Sequence, residues 1–161
     1  SGLNLPYYDA GKVRRIFGLE PSAGMRRKAQ PNVDASGLDV EFIDLPGEDI
    51  PLEPNSVDTV LVTYTLCSID DAVAALGGMR RVLKPGGNLL FCEHGAAPDG
   101  NVRRWQNRLN PGWKRFSGGC NMNRDIPGLI ESSGFRITTD ERMYIPGLKI
   151  LSYNYWGSAK P

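Results

Sequence analysis

Residues 57–66 read VDTVLVTYTL, a nearly continuous apolar and β-branched run. Such a run suits a strand buried on both faces, as in a parallel sheet. Asp70-Asp71 then open a helix, with the acids favourably placed at its N-terminus. Val73, Leu76, Met79 and Leu83 recur at helical spacing, Arg80, Arg81 and Lys84 sit near the end, and Pro85-Gly86-Gly87 stops the helix. Residues 88–92 (NLLFC) form the next buried strand.

The rest of the chain keeps this alternation. Residues 13–19 (VRRIFGL) are a short strand stopped by Glu20-Pro21-Ser22. Ser22 caps a basic helix, AGMRRKAQ, expected to break at Pro31-Asn32. Residues 39–45 (DVEFIDL) alternate as a second strand. Asp125 caps a further helix, IPGLIESS, stopped by Gly134, and two last strands follow, FRITTDERMYI and KILSYNYW. The class is therefore α/β with a mostly parallel sheet, closed by an antiparallel hairpin at one edge. At 161 residues, one domain is expected.

Composition excludes several functions. A net charge of +1 argues against a dedicated nucleic-acid binder. No apolar run approaches the ~18 residues of a membrane span. Three irregularly spaced cysteines, Cys67, Cys92 and Cys120, predict reduced thiols in a cytoplasmic compartment. One histidine and no CxxC pair argue against a zinc site, so no metal is expected.

Chemistry is first visible at Glu20, which ends a strand eighteen residues after Gly2. A glycine turn followed about 20 residues on by a strand-terminal carboxylate is how dinucleotide and nucleoside folds hold a ribose. The plainer reading is a surface glutamate capping the next helix. Three further features follow in order: Gly47-Glu48-Asp49-Ile50-Pro51 after the second strand, Ser56-Val57-Asp58 before the third, and the run RVLKPGG at residues 81–87. In this order and spacing they resemble the class I S-adenosylmethionine-dependent methyltransferases of the small-molecule type. That resemblance implies a Rossmann-like three-layer sandwich and S-adenosylmethionine as cofactor. It implies that Glu20 binds the ribose hydroxyls, that Gly47 and Glu48 line the adenine pocket, and that Thr65 and Leu66 face the methionine part. Pro46 departs from the pattern, standing where many relatives carry an acid.

A closer likeness lies in Leu66-Cys67-Ser68, Cys92-Glu93-His94, the stretch NRLNPGW at 107–113, and Gly118-Gly119-Cys120-Asn121. Together these resemble the alkyl-thiol S-methyltransferase branch of the methyltransferase-like proteins, which implies transfer to a small thiol or similar soft nucleophile. A thiol acceptor must ionise, so a nearby base or cation helps. His94, the only histidine, is the candidate, with Glu93 orienting it or contacting substrate; the alternative is a His94 bonded to adjoining backbone. Cys67 and Cys92 read as small packed hydrophobes. Residues 101–116 carry five basic side chains and no acid, interleaved with Trp105, Trp113 and Phe116. The favoured reading is a substrate cover lined by Trp105, Trp113, Cys120 and Asn121; nucleic-acid stacking and an interfacial helix on acidic lipid are the alternatives.

Other functions stay open at this point: a nicotinamide-dependent oxidoreductase, or a non-catalytic binding domain of the same fold. Ser1-Gly2 resembles the end of a G-x-G-S-G loop, which would grip the cofactor. On that reading the first strand is missing and six strands of a seven-stranded sheet are expected. The pairing should then be interrupted between the strands ending at Glu20 and Leu66, and the isolated chain should bind cofactor poorly.

Overall fold

A computed structural model of the chain describes residues 2–161. Ser1, expected in the glycine loop, lies outside the described residues. The chain divides into two compact units, Ser1–Ile50 and Pro51–Pro161.

In the first unit, β1 (Arg15–Leu19), α1 (Ala23–Ser36) and β2 (Asp39–Ile43) follow a single 3-10 turn at Leu5–Tyr7. β1 and β2 pair in parallel, from Arg15 opposite Asp39 to Leu19 opposite Ile43. Ser22 caps α1, its hydroxyl accepting from the Met25 N–H at 3.3 Å. The expected stop at Pro31 does not occur, because α1 runs on to Ser36 and ends at Gly37 in the left-handed conformation. Proline removes one N–H from the helix ladder, and the turns around it stay intact.

The second unit contains β3 (Val57–Thr63), α2 (Ala72–Val82), β4 (Leu83–His94), α3 (Gly100–Phe116), α4 (Ile126–Ser132), β5 (Arg136–Tyr144) and β6 (Tyr153–Lys160). Its sheet runs β3-β4-β6-β5. β3 and β4 are parallel, whereas β6 is antiparallel to both β4 and β5. The expected C-terminal hairpin is present, with β6 inserted beside β4. Six strands form two sheets, and among the described residues no pairing joins β1 to β3.

β3 is not buried on both faces: Val62 is buried while Asp58 and Thr59 are exposed. Among the described residues it is the edge strand of its sheet, paired on one side only. It also ends earlier than expected, because Tyr64 turns the chain at φ 50°. β4 alternates, with Leu89, Phe91 and Glu93 buried and Leu90 exposed. α2 is capped by Asp71, which accepts from the Ala74 N–H at 2.9 Å, and it buries Ala75, Leu76, Met79 and Val82. Residues 84–87 turn the chain from α2 into the regular part of β4, where the register with β3 shifts. α3 carries Pro111 internally; it buries Gln106 and leaves Trp105, Leu109 and Phe116 exposed. No described helix is long and apolar enough to cross a membrane.

Candidate active site

β4 ends at His94, so its last residue and the loops after β3 and α3 meet at one end of the second unit's sheet. One ligating atom each from Cys67, His94 and Cys120 lie within 4.8 Å of one another. His94 Nε2 is 3.0 Å from Cys120 Sγ. The ring of Tyr64 stands 6.0 Å from that of His94, and its hydroxyl donates to Asn154 Oδ1 at 2.8 Å.

These residues are far apart in sequence, and the groups beside them hold them in place. Glu93 is fully buried, and its carboxylate accepts from three successive amides: Thr65 at 2.7 Å, Leu66 at 3.0 Å and Cys67 at 3.4 Å. Asn121, next to Cys120, donates to the Cys67 carbonyl from its backbone at 2.8 Å and from its side chain at 3.0 Å. Arg124 adds bonds from its guanidinium to the carbonyls of Leu66 and of Ile69, the latter at 2.7 Å. The Cys67 loop is thus tied to both of the segments that carry its partners.

Behind this cluster, Gln106 of α3 is fully buried and spends its whole amide on backbone. Its Oε1 accepts from the Ala97 N–H at 2.9 Å, and its Nε2 lies 2.9 to 3.0 Å from the carbonyl oxygens of Gly95, Met122 and Ile150. Gly95 has no room for a side chain, since a Cβ there would fall 2.3 Å from the Arg124 carbonyl oxygen.

The two buried thiols are polarised in opposite directions. Cys67 is pushed up by its thiol's hydrogen bond to Cys120 and by burial. Cys120 is pulled well below the usual thiol range by the Cys67 donor, assisted by His94 and Trp113, against the effect of burial. Burial raises the Glu93 carboxyl, opposed by its three amide donors and by His94. Among the described residues, buried His94 Nδ1 has no hydrogen-bond partner.

The structure brings His94, Trp113, Cys120 and Asn121 together and adds Cys67, which the sequence offered only as a packed hydrophobe. Glu93 is not available to substrate, because both its oxygens are occupied by the Cys67 loop. Leu66, expected to face the cofactor, is fully buried in the core after β3 has already ended. Neighbouring Thr65 is exposed and donates from its hydroxyl to the Thr63 carbonyl at 3.0 Å. Trp105 does not join Trp113: it is 55% exposed, with the Arg108 guanidinium 5.9 Å over its ring. Gln106, Asn110 and Trp113 share the inward phase of α3, and Trp105 falls one position off it.

Gly2, Glu20, Gly47 and Glu48 all belong to the first unit. Glu20 lies half-buried just past β1, its N–H extending the ladder to the Ile43 carbonyl at 3.1 Å. One carboxylate oxygen accepts from the Ser22 N–H at 3.0 Å. Gly2 sits at φ 66°, and a Cβ there would meet Leu5 and Ala29 at 3.1 and 3.2 Å. Gly47 and Glu48 are half-buried in the turn after β2. An open cleft of about 610 Å³ lined by Asp99, Arg104 and Lys149 touches none of these groups.

This α/β fold is that of the SAM-dependent methyltransferases. A SAM-dependent methyltransferase from Methanosarcina mazei superposes with a TM-score of 0.73 at 17% identity, over 94% of this chain and 84% of that one. Residues 1–91 match the family described as methyltransferase domain, and the chain belongs to that family. It is 33% identical over 150 residues to the thiol S-methyltransferase TMT1B of Homo sapiens, across 91% of this chain and 61% of that protein. With the thiol S-methyltransferase TMT1A of Homo sapiens the identity is 30% over 139 residues, 84% of this chain and 56% of the relative. The chain thus spans less than two thirds of the length of these curated relatives.

Proposed function

We propose that the protein transfers a methyl group from S-adenosylmethionine to a small-molecule acceptor, and that the acceptor is a thiol. Membership of the methyltransferase family supports the transfer. The observation that carries the choice of acceptor is the similarity, across 91% of the chain, to a protein named as a thiol S-methyltransferase.

The cofactor, when bound, supplies an electrophilic methyl group on a sulfonium; the protein supplies alignment and a dry, oriented site. The residues of the first unit fit such a group. Glu20 presents a carboxylate at the carboxyl end of a parallel strand, where this class of fold binds ligands. We assign the ribose hydroxyls to Glu20 and the adenine to the turn of Gly47 and Glu48. Leu66, fully buried in the core, does not fit a cofactor role. An acceptor thiol must lose its proton before it attacks, and we assign that end of the reaction to Cys67, His94 and Cys120. Three free cysteines support a reducing, cytoplasmic setting.

The test is to incubate the complete gene product with S-adenosylmethionine bearing a deuterated methyl group and a panel of small thiols, phenols and amines. Mass spectrometry should find the label on thiols. Label on phenols or amines alone would contradict the acceptor, and label on none would contradict the transfer.

A further inference from the structure

We propose that Cys67, His94 and Cys120 form a binding site for a soft divalent metal ion, zinc by its ligand chemistry, with a fourth position open to an exogenous thiolate. The site itself stands on geometry; the thiolate in its fourth position rests on the thiol-acceptor reading above.

Two sulfurs and one imidazole nitrogen are a set that selects zinc over the oxygen-seeking cations. In a tetrahedral zinc site the ligand atoms stand about 3.6 Å (N to S) and about 3.8 Å (S to S) apart, as follows from the usual bond lengths. Here one atom from each residue already lies within 4.8 Å of the others, and Nε2 and the Cys120 sulfur are 3.0 Å apart. Opening that pair by about half an ångström and bringing Cys67, now within 4.8 Å of both, to the same spacing completes the geometry. Two thiolates balance the ion's double charge, so the site is neutral with water in its fourth position, and an entering thiolate adds one negative charge on the half-buried His94 side. With Nε2 as ligand the imidazole proton sits on Nδ1, which accepts from no donor among the described residues.

The segments that carry the ligands are tied to one another through the Cys67 backbone. Glu93 precedes His94 and grips the Cys67 amide; Asn121 follows Cys120 and grips the Cys67 carbonyl. Cys67 and Cys120 are 2% and 8% exposed, while His94 is half-buried beside exposed Tyr64, so the approach for an ion is from the His94 side. Three protein ligands with one vacancy is the pattern of reactive rather than structural zinc. A thiol entering the fourth position displaces water and releases its proton to solvent, arriving as the thiolate that methyl transfer requires.

The experiment uses the purified full chain, reduced and stripped of metal, then loaded with zinc or cobalt(II) and desalted. One equivalent of zinc should be retained, and cobalt should give thiolate charge-transfer and intense tetrahedral visible bands. Cys67→Ser, His94→Gln and Cys120→Ser should each weaken retention against a chelator at least tenfold, whereas Cys92→Ser should not. Circular dichroism verifies that each variant is folded, and the wild-type stoichiometry decides the matter even where one is not. Reduced, folded protein that holds no metal, or an octahedral cobalt spectrum, overturns the site. Adding 2-mercaptoethanol should shift the charge-transfer band; an unchanged band overturns the open position. Thiol methylation by protein that retains no metal would defeat this proposal alone, and metal retention without methylation would defeat only the functional reading.

Discussion

The two units are held together by different physics. In residues 2–50, Leu5 and Ala29 are the buried apolar side chains, and the strands are dressed with exposed ion pairs such as Arg15 to Glu41 at 2.5 Å and Arg26 to Asp44 at 2.7 Å. In residues 51–161 the core runs from Val62 to Ala159, and buried polar side chains, Glu93 and Gln106 above all, clamp backbone rather than one another. Exposed pairs contribute little, whereas a buried group left unpaired is costly. The comparison teaches where precision resides: the groups assigned to the cofactor stand on a lightly packed unit, and the sulfur-imidazole cluster stands on a tightly tied one.

Substitutions should separate the two regimes. The largest effect is expected at Gln106→Leu, which strands the Ala97 N–H and the carbonyls of Gly95, Met122 and Ile150; stability should fall by about 3 kcal/mol or more in urea unfolding. Glu93→Gln keeps the shape but offers one acceptor where two oxygens served three amides, so a loss of about 2 kcal/mol is expected. A loss near zero would mean that the Cys67 loop does not depend on that carboxylate. Gly95→Ala forces a methyl group onto the Arg124 carbonyl and should cost about 1–3 kcal/mol, read as a lowered Tm. At the other extreme, Asp44→Ala removes an exposed partner of Arg26 and should cost about 0.5 kcal/mol in urea unfolding. A larger loss there would erase the distinction between the units.

Local chemistry made much of this fold legible. Ser22, Asp71 and Asp125 each cap the helix that their residue type announced, and Gly134 takes the left-handed conformation just past α4. The succession of strands along the chain and the closing hairpin follow from patterning, whereas the place of β6 between β4 and β5 does not. What patterning missed is tertiary. α1 passes through Pro31 because a single lost bond does not end a helix, and β3 is half-wet because its place at the sheet edge is set by its neighbours. Leu66 looked like a strand end and is core, since Tyr64 turns the chain two residues earlier.

The candidate site was half legible. His94 and Cys120 were singled out, but 26 residues separate them, and Cys67 lies as far again on the other side of Glu93. Ligand-spacing rules search short windows, so a trio assembled from a strand end and two loops leaves no such signature. Glu93 was placed in the right neighbourhood with the wrong task, because sequence gives the charge and not the three amides that consume it. Gln106 gave no signal, since a glutamine on a basic, amphipathic helix reads as solvent-facing.

Cofactor binding tests the central claim most directly. Calorimetric titration of the complete gene product with S-adenosylmethionine and with NAD, repeated on Glu20→Gln, should show binding of S-adenosylmethionine alone, weakened about tenfold by the substitution through loss of a charge-assisted hydrogen bond. Binding of NAD instead, or of neither, would contradict the assignment of this chain to methyl transfer.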